Sequence, residues 1–144
     1  MSVDSSPSPR TVVEAAVAAF TRGDLEAVLG AMADDVDFLP SGPTEHLTWT
    51  ANRRGPSGVQ AYFAELLAQV DYEHFSGDRF LVDGDDVFVV GNAKMLFKAT
   101  GRRIETGWVG CFTVKGERIV RYRDYWDTAS ALLALTPTDS NDVY

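Results

Sequence analysis

The sequence predicts an α+β fold: a cone-shaped α+β barrel in which three N-terminal helices lie on a strongly curved antiparallel sheet and enclose a pocket. Three observations predict it. Apolar residues recur at helical spacing in three successive segments before residue 71. Strands joined by short turns fill the second half, which calls for an antiparallel meander. Twist makes a long antiparallel sheet curl, so helices across its concave side leave a cone-shaped interior at the open end.

Ser8 and Pro9 read as an N-cap and the first helical residue, and Val13, Ala16, Val17 and Phe20 follow at i, i+3, i+4 and i+7. Gly23 stops this helix, because glycine takes the left-handed cap conformation without penalty. Asp24 caps a second helix, on which Leu25, Val28, Leu29 and Met32 repeat the spacing; Asp34 and Asp35 end it, and Val36 and Phe38 begin a short extended piece. Over residues 40–56 the pattern disappears. A connection of that length inside a small domain is often functional, and it carries His46, Trp49, Arg53 and Arg54. A third helix is predicted from near Ser57, with Gln60 as its capping-box partner and Val59, Tyr62, Phe63, Leu66, Leu67 and Val70 on its apolar face. Strands are predicted over 80–82, 87–98, 104–114 and 119–126, separated by turns at Gly84, Gly101 and Gly116. Asp127 caps a last short helix in which Ala131, Leu132 and Leu135 pack. One domain over 11–135 results. Residues 1–10 and 136–144, rich in Ser, Pro and Asp, are expected to be flexible ends.

The 144 residues are 45% hydrophobic and 24% charged, a globular composition that argues against disorder. A net charge of −8 repels phosphate backbones and anionic lipid, so neither nucleic acid nor a membrane surface is an expected partner. The single cysteine, Cys111, forms no intrachain disulfide. The opening residues lack the apolar core of a signal peptide, and no apolar run approaches the roughly 20 residues that span a bilayer. A cytoplasmic location is therefore expected. Two histidines and one cysteine without ligand spacing make no metal site, and no glycine-rich phosphate loop occurs. A cofactor-independent pocket for a small apolar molecule is what remains.

Strand alternation puts Val120, Tyr122, Asp124 and Trp126 on one face of the last strand, the more apolar one and so the interior one. Asp124 is then a carboxylate among aromatics. Desolvation raises the pKa of such a group, and a carboxylate near neutrality can take a proton from carbon beside a carbonyl and return it elsewhere. A structural role, paired with an arginine or backbone donors, is the other reading. On the preceding strands Trp108 and Phe112 are candidate walls, and Asn92 and Lys94 share one face as candidate donors to an oxyanion. The irregular segment supplies His46 and Trp49 at a pocket entrance, and Tyr62 reaches toward the cavity from the third helix.

Three phrases carry a family resemblance: AAFTRGDLEAVLGAMADDVDF at 18–38, GPSGVQAYFAEL at 55–66 and GERIVRYRDYWD at 116–127. With the order of elements, they resemble the nuclear-transport-factor-2-like superfamily, in particular its SnoaL-like and ketosteroid-isomerase-like branch, over residues 11–135. The resemblance implies the cone-shaped fold and a homodimer. It implies no single activity, because the fold hosts isomerases, cyclases, dehydratases, epoxide hydrolases and binding domains. The three catalytic positions of ketosteroid isomerases fall at Ala16, near Leu39 or Pro40, and near Gly110, so that residue set is missing. Against limonene-epoxide-hydrolase-like enzymes, Lys94 and Leu96 stand where an arginine and an aspartate belong, and Asp124 matches the second aspartate. Asp124 also resembles the acid/base aspartate on the closing strand of SnoaL-like polyketide cyclases. The expected function is cofactor-independent acid/base chemistry of isomerase, cyclase or dehydratase type on a small apolar substrate. A non-catalytic ligand-binding or dimeric structural domain is the alternative.

Overall fold

The computed structural model describes residues 6–137. The chain opens with α1 (Pro9–Thr21), whose first turn is closed by Ser8: its hydroxyl accepts from the Thr11 N–H at 3.2 Å. The helix thus starts inside the stretch expected to be a flexible end, while residues 1–5 and 138–144 lie outside the described residues. Gly23, at φ +78°, turns the chain into α2 (Leu25–Gly30), capped by Asp24. The second helix is shorter than its spacing predicts. Met32 belongs instead to β1 (Met32–Leu39), since the Ala31 carbonyl accepts from the Ile119 N–H and Met32 pairs with Ile119 in the sheet.

Residues 40–56 hold a single 3-10 turn (Thr48–Thr50) and the two-residue β2 (Arg53–Arg54). Leu47 and Trp49 are buried there, so this segment contributes to the core. Next, α3 (Gly55–Gln69) starts two residues before Ser57 and has no side-chain cap. Pro56 occupies its first turn and Gly55, at φ +74°, makes the entry bend, so the expected capping box does not form. The remaining elements are β3 (Val70–Asp83), β4 (Asp86–Phe97), β5 (Arg102–Lys115), β6 (Arg118–Trp126) and α4 (Thr128–Leu135), the last capped by Asp127.

Six strands form one curved sheet in the order β2-β1-β6-β5-β4-β3, open at both edges and so not closed as a barrel. β3 to β6 are the predicted antiparallel meander. β1 departs from it by pairing parallel to β6. Tight turns dictate antiparallel pairing only between consecutive strands, and some 80 residues separate these two. A register shift between Thr113 and Val114 also gives β6 an extra residue at Val120. Ile119 is therefore the buried residue before the bulge, and Tyr122, Asp124 and Trp126 take the inner face after it; Val120 does not share that face as strict alternation had it.

The helices cover the concave face of the sheet, and the core runs between them. Val13 and Ala19 of α1, Val59 and Leu66 of α3, and Val87, Val89 and Phe97 of β4 are all within 1% of full burial. Gly91 lets this layer close. A Cβ there would overlap the Ser76 carbonyl oxygen and meet the Trp108 indole, the two groups whose 3.1 Å hydrogen bond fixes that tryptophan.

Candidate active site

Three cross-strand pairs on the inner face of β5 and β6 form the floor of a cavity: Trp108 opposite Trp126, Gly110 opposite Asp124, and Phe112 opposite Tyr122. Gly110 gives the floor its hollow, since a Cβ at that point would stand 2.8 Å from the Phe112 ring and 3.0 Å from Trp108. The helices supply the roof through Ala16, Val17 and Phe20 of α1, Val28 of α2, and Tyr62 and Phe63 of α3. Met32 and Phe38 of β1 close one side, and Tyr72, Phe75, Ala93 and Met95 of β3 and β4 the other. Pro40 and Trp49 complete the wall from the irregular segment. The cavity is partly open and its volume is about 100 Å³.

Asp124 is the charged residue of this wall, and it is 7% exposed. Two donors hold its carboxylate: the Ser41 N–H reaches Oδ1 at 2.9 Å, and the Tyr122 hydroxyl reaches Oδ2 at 2.7 Å. The Ser41 carbonyl in turn accepts from the Trp126 indole at 3.0 Å, so one peptide segment is tied to both β6 side chains. Phe38 stacks on Tyr122 at 4.4 Å between centroids, which fixes the ring that carries the donor. Burial pushes the Asp124 carboxyl up to about 6, against the lowering pull of Ser41, Tyr122 and the more distant Arg123. The hydroxyls of Tyr62, Tyr72 and Tyr122 are all pushed above the usual phenol range, first by burial and then by the nearby Asp124 carboxylate. Tyr122 is bound to Asp124, whereas the Tyr62 and Tyr72 hydroxyls and the Trp49 indole N–H make no hydrogen bond among the described residues.

The cavity brings together Asp124, Trp108, Trp126, Tyr62, Trp49, Tyr122 and Phe112. It does not include His46, Asn92 or Lys94. His46 lies exposed on the irregular segment, with the buried Leu47 and Trp49 beneath it. Asn92 and Lys94 project from the outer sheet face, where Asn92 donates to Asp78 at 2.9 Å and Lys94 pairs with Glu105 at 3.3 Å. The β4 residues that face inward are the more apolar set: Val89, Gly91, Ala93 and Met95. Sequence reasoning missed Tyr72 and Phe75. The register shifts of β3 between Tyr72 and His74 and between Gly77 and Arg79 break the alternation that would have exposed its first half as a strand.

The Arg53 charge lowers the Tyr62 phenol's pKa against the larger effect of burial. The Arg53 Nη2 is engaged by Glu65 at 3.2 Å and its Nε is buried without a partner, on the α3 side of the sheet edge and outside the cavity wall. Among the described residues no three His, Cys, Asp or Glu side chains gather as a metal site requires, and no helix is long and apolar enough to cross a membrane.

The fold is shared with solved nuclear-transport-factor-2-like proteins. Two such proteins of Burkholderia show the likeness. That of B. xenovorans is 26% identical with a TM-score of 0.79, covering 92% of this chain and 98% of its own. That of B. thailandensis is 22% identical with a TM-score of 0.83, covering 91% and 99%. A limonene-epoxide-hydrolase-like epoxide hydrolase of Mycobacterium tuberculosis shares the fold at 23% identity and a TM-score of 0.67, covering 87% and 89%. The SnoaL-like domain matches residues 13–122, and the chain belongs to that family. Comparison with curated proteins returns no match.

Proposed function

We propose that this SnoaL-like protein is a cofactor-independent enzyme that moves a proton at carbon on a small, mostly apolar molecule, with Asp124 as the acid/base. The observation that carries the reading is a buried carboxyl, poised near pH 6, facing an aromatic hollow through the donors Ser41 and Tyr122. A general base acts best when its pKa lies near the working pH, and an exposed aspartate near 4 is too weakly basic for carbon acids. Burial supplies the missing basicity here. The Ser41 and Tyr122 bonds keep the group ionised for part of its population and aim it, since a carboxylate oxygen has a second lone pair free for substrate.

Hydrogen–deuterium exchange beside the carbonyl of cyclohexanone, followed by proton NMR in deuterated buffer near neutrality, tests this without knowledge of the natural substrate. The wild-type chain is expected to accelerate exchange at least about a hundredfold over Asp124→Asn, the usual size of a general-base contribution. Equal rates for the two proteins would remove Asp124 from the chemistry and leave a ligand-binding module.

A further inference from the structure

We propose that the cavity takes a neutral, single-ring molecule carrying a carbonyl or hydroxyl oxygen, and that Tyr62 and Tyr72 are the residues that select it. This rests on the reading of the cavity as the substrate site and names the class of molecule that fills it.

The first argument is donor accounting. The polar side chains of the wall are Asp124, Tyr122, Thr106, the three indoles, Tyr62 and Tyr72. Trp108 donates to the Ser76 carbonyl, Trp126 to the Ser41 carbonyl, and Tyr122 to Asp124. The Thr106 hydroxyl donates to the Gly107 carbonyl and accepts from the Asp127 N–H. The Tyr62 and Tyr72 hydroxyls and the Trp49 N–H remain without protein partners among the described residues; all three donate, and the two hydroxyls also accept. None of them is sealed from the cavity; among the described residues, the fully buried side-chain atom without a partner is Arg53 Nε. An occupant that displaces water from them is therefore best matched when it brings acceptors.

Charge is the second argument. Among the described residues of the wall there is no lysine, arginine or histidine. Arg53, the near cation, is held outside by Glu65, and Arg123 precedes Asp124 on a strand whose alternation turns it to the other sheet face. An anionic ligand would enter a dry wall beside Asp124 with no counter-charge. A cationic ligand would find Asp124 and could donate to the two phenol oxygens, but it would bring no acceptor to the Trp49 N–H. A neutral molecule with oxygen acceptors satisfies both constraints.

The third argument is size. An apolar cavity of about 150 Å³ admits benzene. The volume here, about 100 Å³ in a hollow that is open on one side, is of the order of one small ring.

Four probes of one shape separate these terms: cyclohex-2-en-1-one, cyclohexene, cyclohex-1-ene-1-carboxylate and cyclohexylammonium. Each is titrated into the full chain labelled with ¹⁵N, and the indole N–H signals of Trp49, Trp108 and Trp126 report occupancy. The ketone is expected to bind at least about tenfold more tightly than the other three. Tyr62→Phe and Tyr72→Phe, which keep the rings, should each weaken the ketone three- to tenfold and leave cyclohexene unchanged. The proposal is overturned if cyclohexene matches the ketone, if a charged probe binds more tightly, if no probe moves the indole signals, or if both Phe variants bind the ketone like wild type. Ketone binding through the phenols, together with exchange that Asp124→Asn leaves unaltered, would uphold the ligand class and sink the catalytic reading. Exchange lost in Asp124→Asn without any dependence on Tyr62 or Tyr72 would do the reverse.

Discussion

Asp124→Asn is expected to stabilise the protein at pH 8 by about 3 kcal/mol and to change nothing below pH 3.5. Folding moves this carboxyl from 3.8 to about 6, so between those values the folded chain binds a proton that the unfolded chain has already released. Stability contributed by the neutral form is thus fully present below 3.8 and is lost as the pH rises through about 6. Asparagine is the neutral isostere. It keeps an oxygen for the Ser41 N–H, and the Tyr122 hydroxyl turns from donor to acceptor for the amide. Urea melts of both proteins from pH 3.5 to 8 give the difference curve. Exposed Asp127 is shifted downward by its bonds to Ser130 and so runs in the opposite sense, but it is common to both proteins and cancels. A variant that is less stable than wild type at pH 8 would show that the ionised carboxylate is a structural partner, as in the alternative reading of the sequence. A gain in stability joined to a loss of exchange is the signature of a group held in a costly state for its chemistry.

The parts of this molecule legible in its sequence are those that local physics decides. Ser8, Asp24 and Asp127 cap helices because a short acceptor stands beside the first free N–H groups, and no distant residue enters that argument. The inward faces of β5 and of the second half of β6 follow from alternation, which placed Trp108, Phe112, Tyr122, Asp124 and Trp126 on one side. What escaped depends on long-range pairing. Parallel partnership of β1 and β6 leaves no local mark, and the bulges in β3 and β6 hide or invert the two-residue period. Tyr72, one of the two free phenols of the cavity wall, lies in the strand so hidden. Asn92 and Lys94 are pocket candidates by chemistry alone, whereas the opposite face of that strand is the more apolar and is the one the core takes. For residues 40–56 the absence of period concealed a buried segment whose Trp49 is 2% exposed.

That tryptophan carries the largest single effect expected here. Trp49→Ala should cost about 4 kcal/mol, within the range for removing a buried Trp side chain. Its ring stacks on Trp126 at 6.5 Å and lies 6.4 Å from Phe97, so it joins the irregular segment to both the cavity wall and the β4 core. Without it the segment is held by Leu47, by the two Ser41 bonds, by the Gln69–Thr48 bond and by the pairing of β2 with β1. Water is then expected at the carboxyl. Two opposite effects on Asp124 follow: hydration lowers its pKa, and any loosening of the Ser41 donor raises it. Burial is the largest cause of the present shift, so hydration wins and the carboxyl should fall from about 6 toward the ordinary 3.8. Carbon-13 NMR of the carboxyl against pH reads the shift, and urea melts at pH 7 read the stability. Trp49→Phe, which keeps an aromatic plug, should lose less than half as much stability and retain most of the raised pKa. A cost for Trp49→Ala below about 1 kcal/mol, or a carboxyl that still titrates near 6, would mean that the hollow is kept dry by the helices alone and that the segment over 40–56 has no part in setting its chemistry.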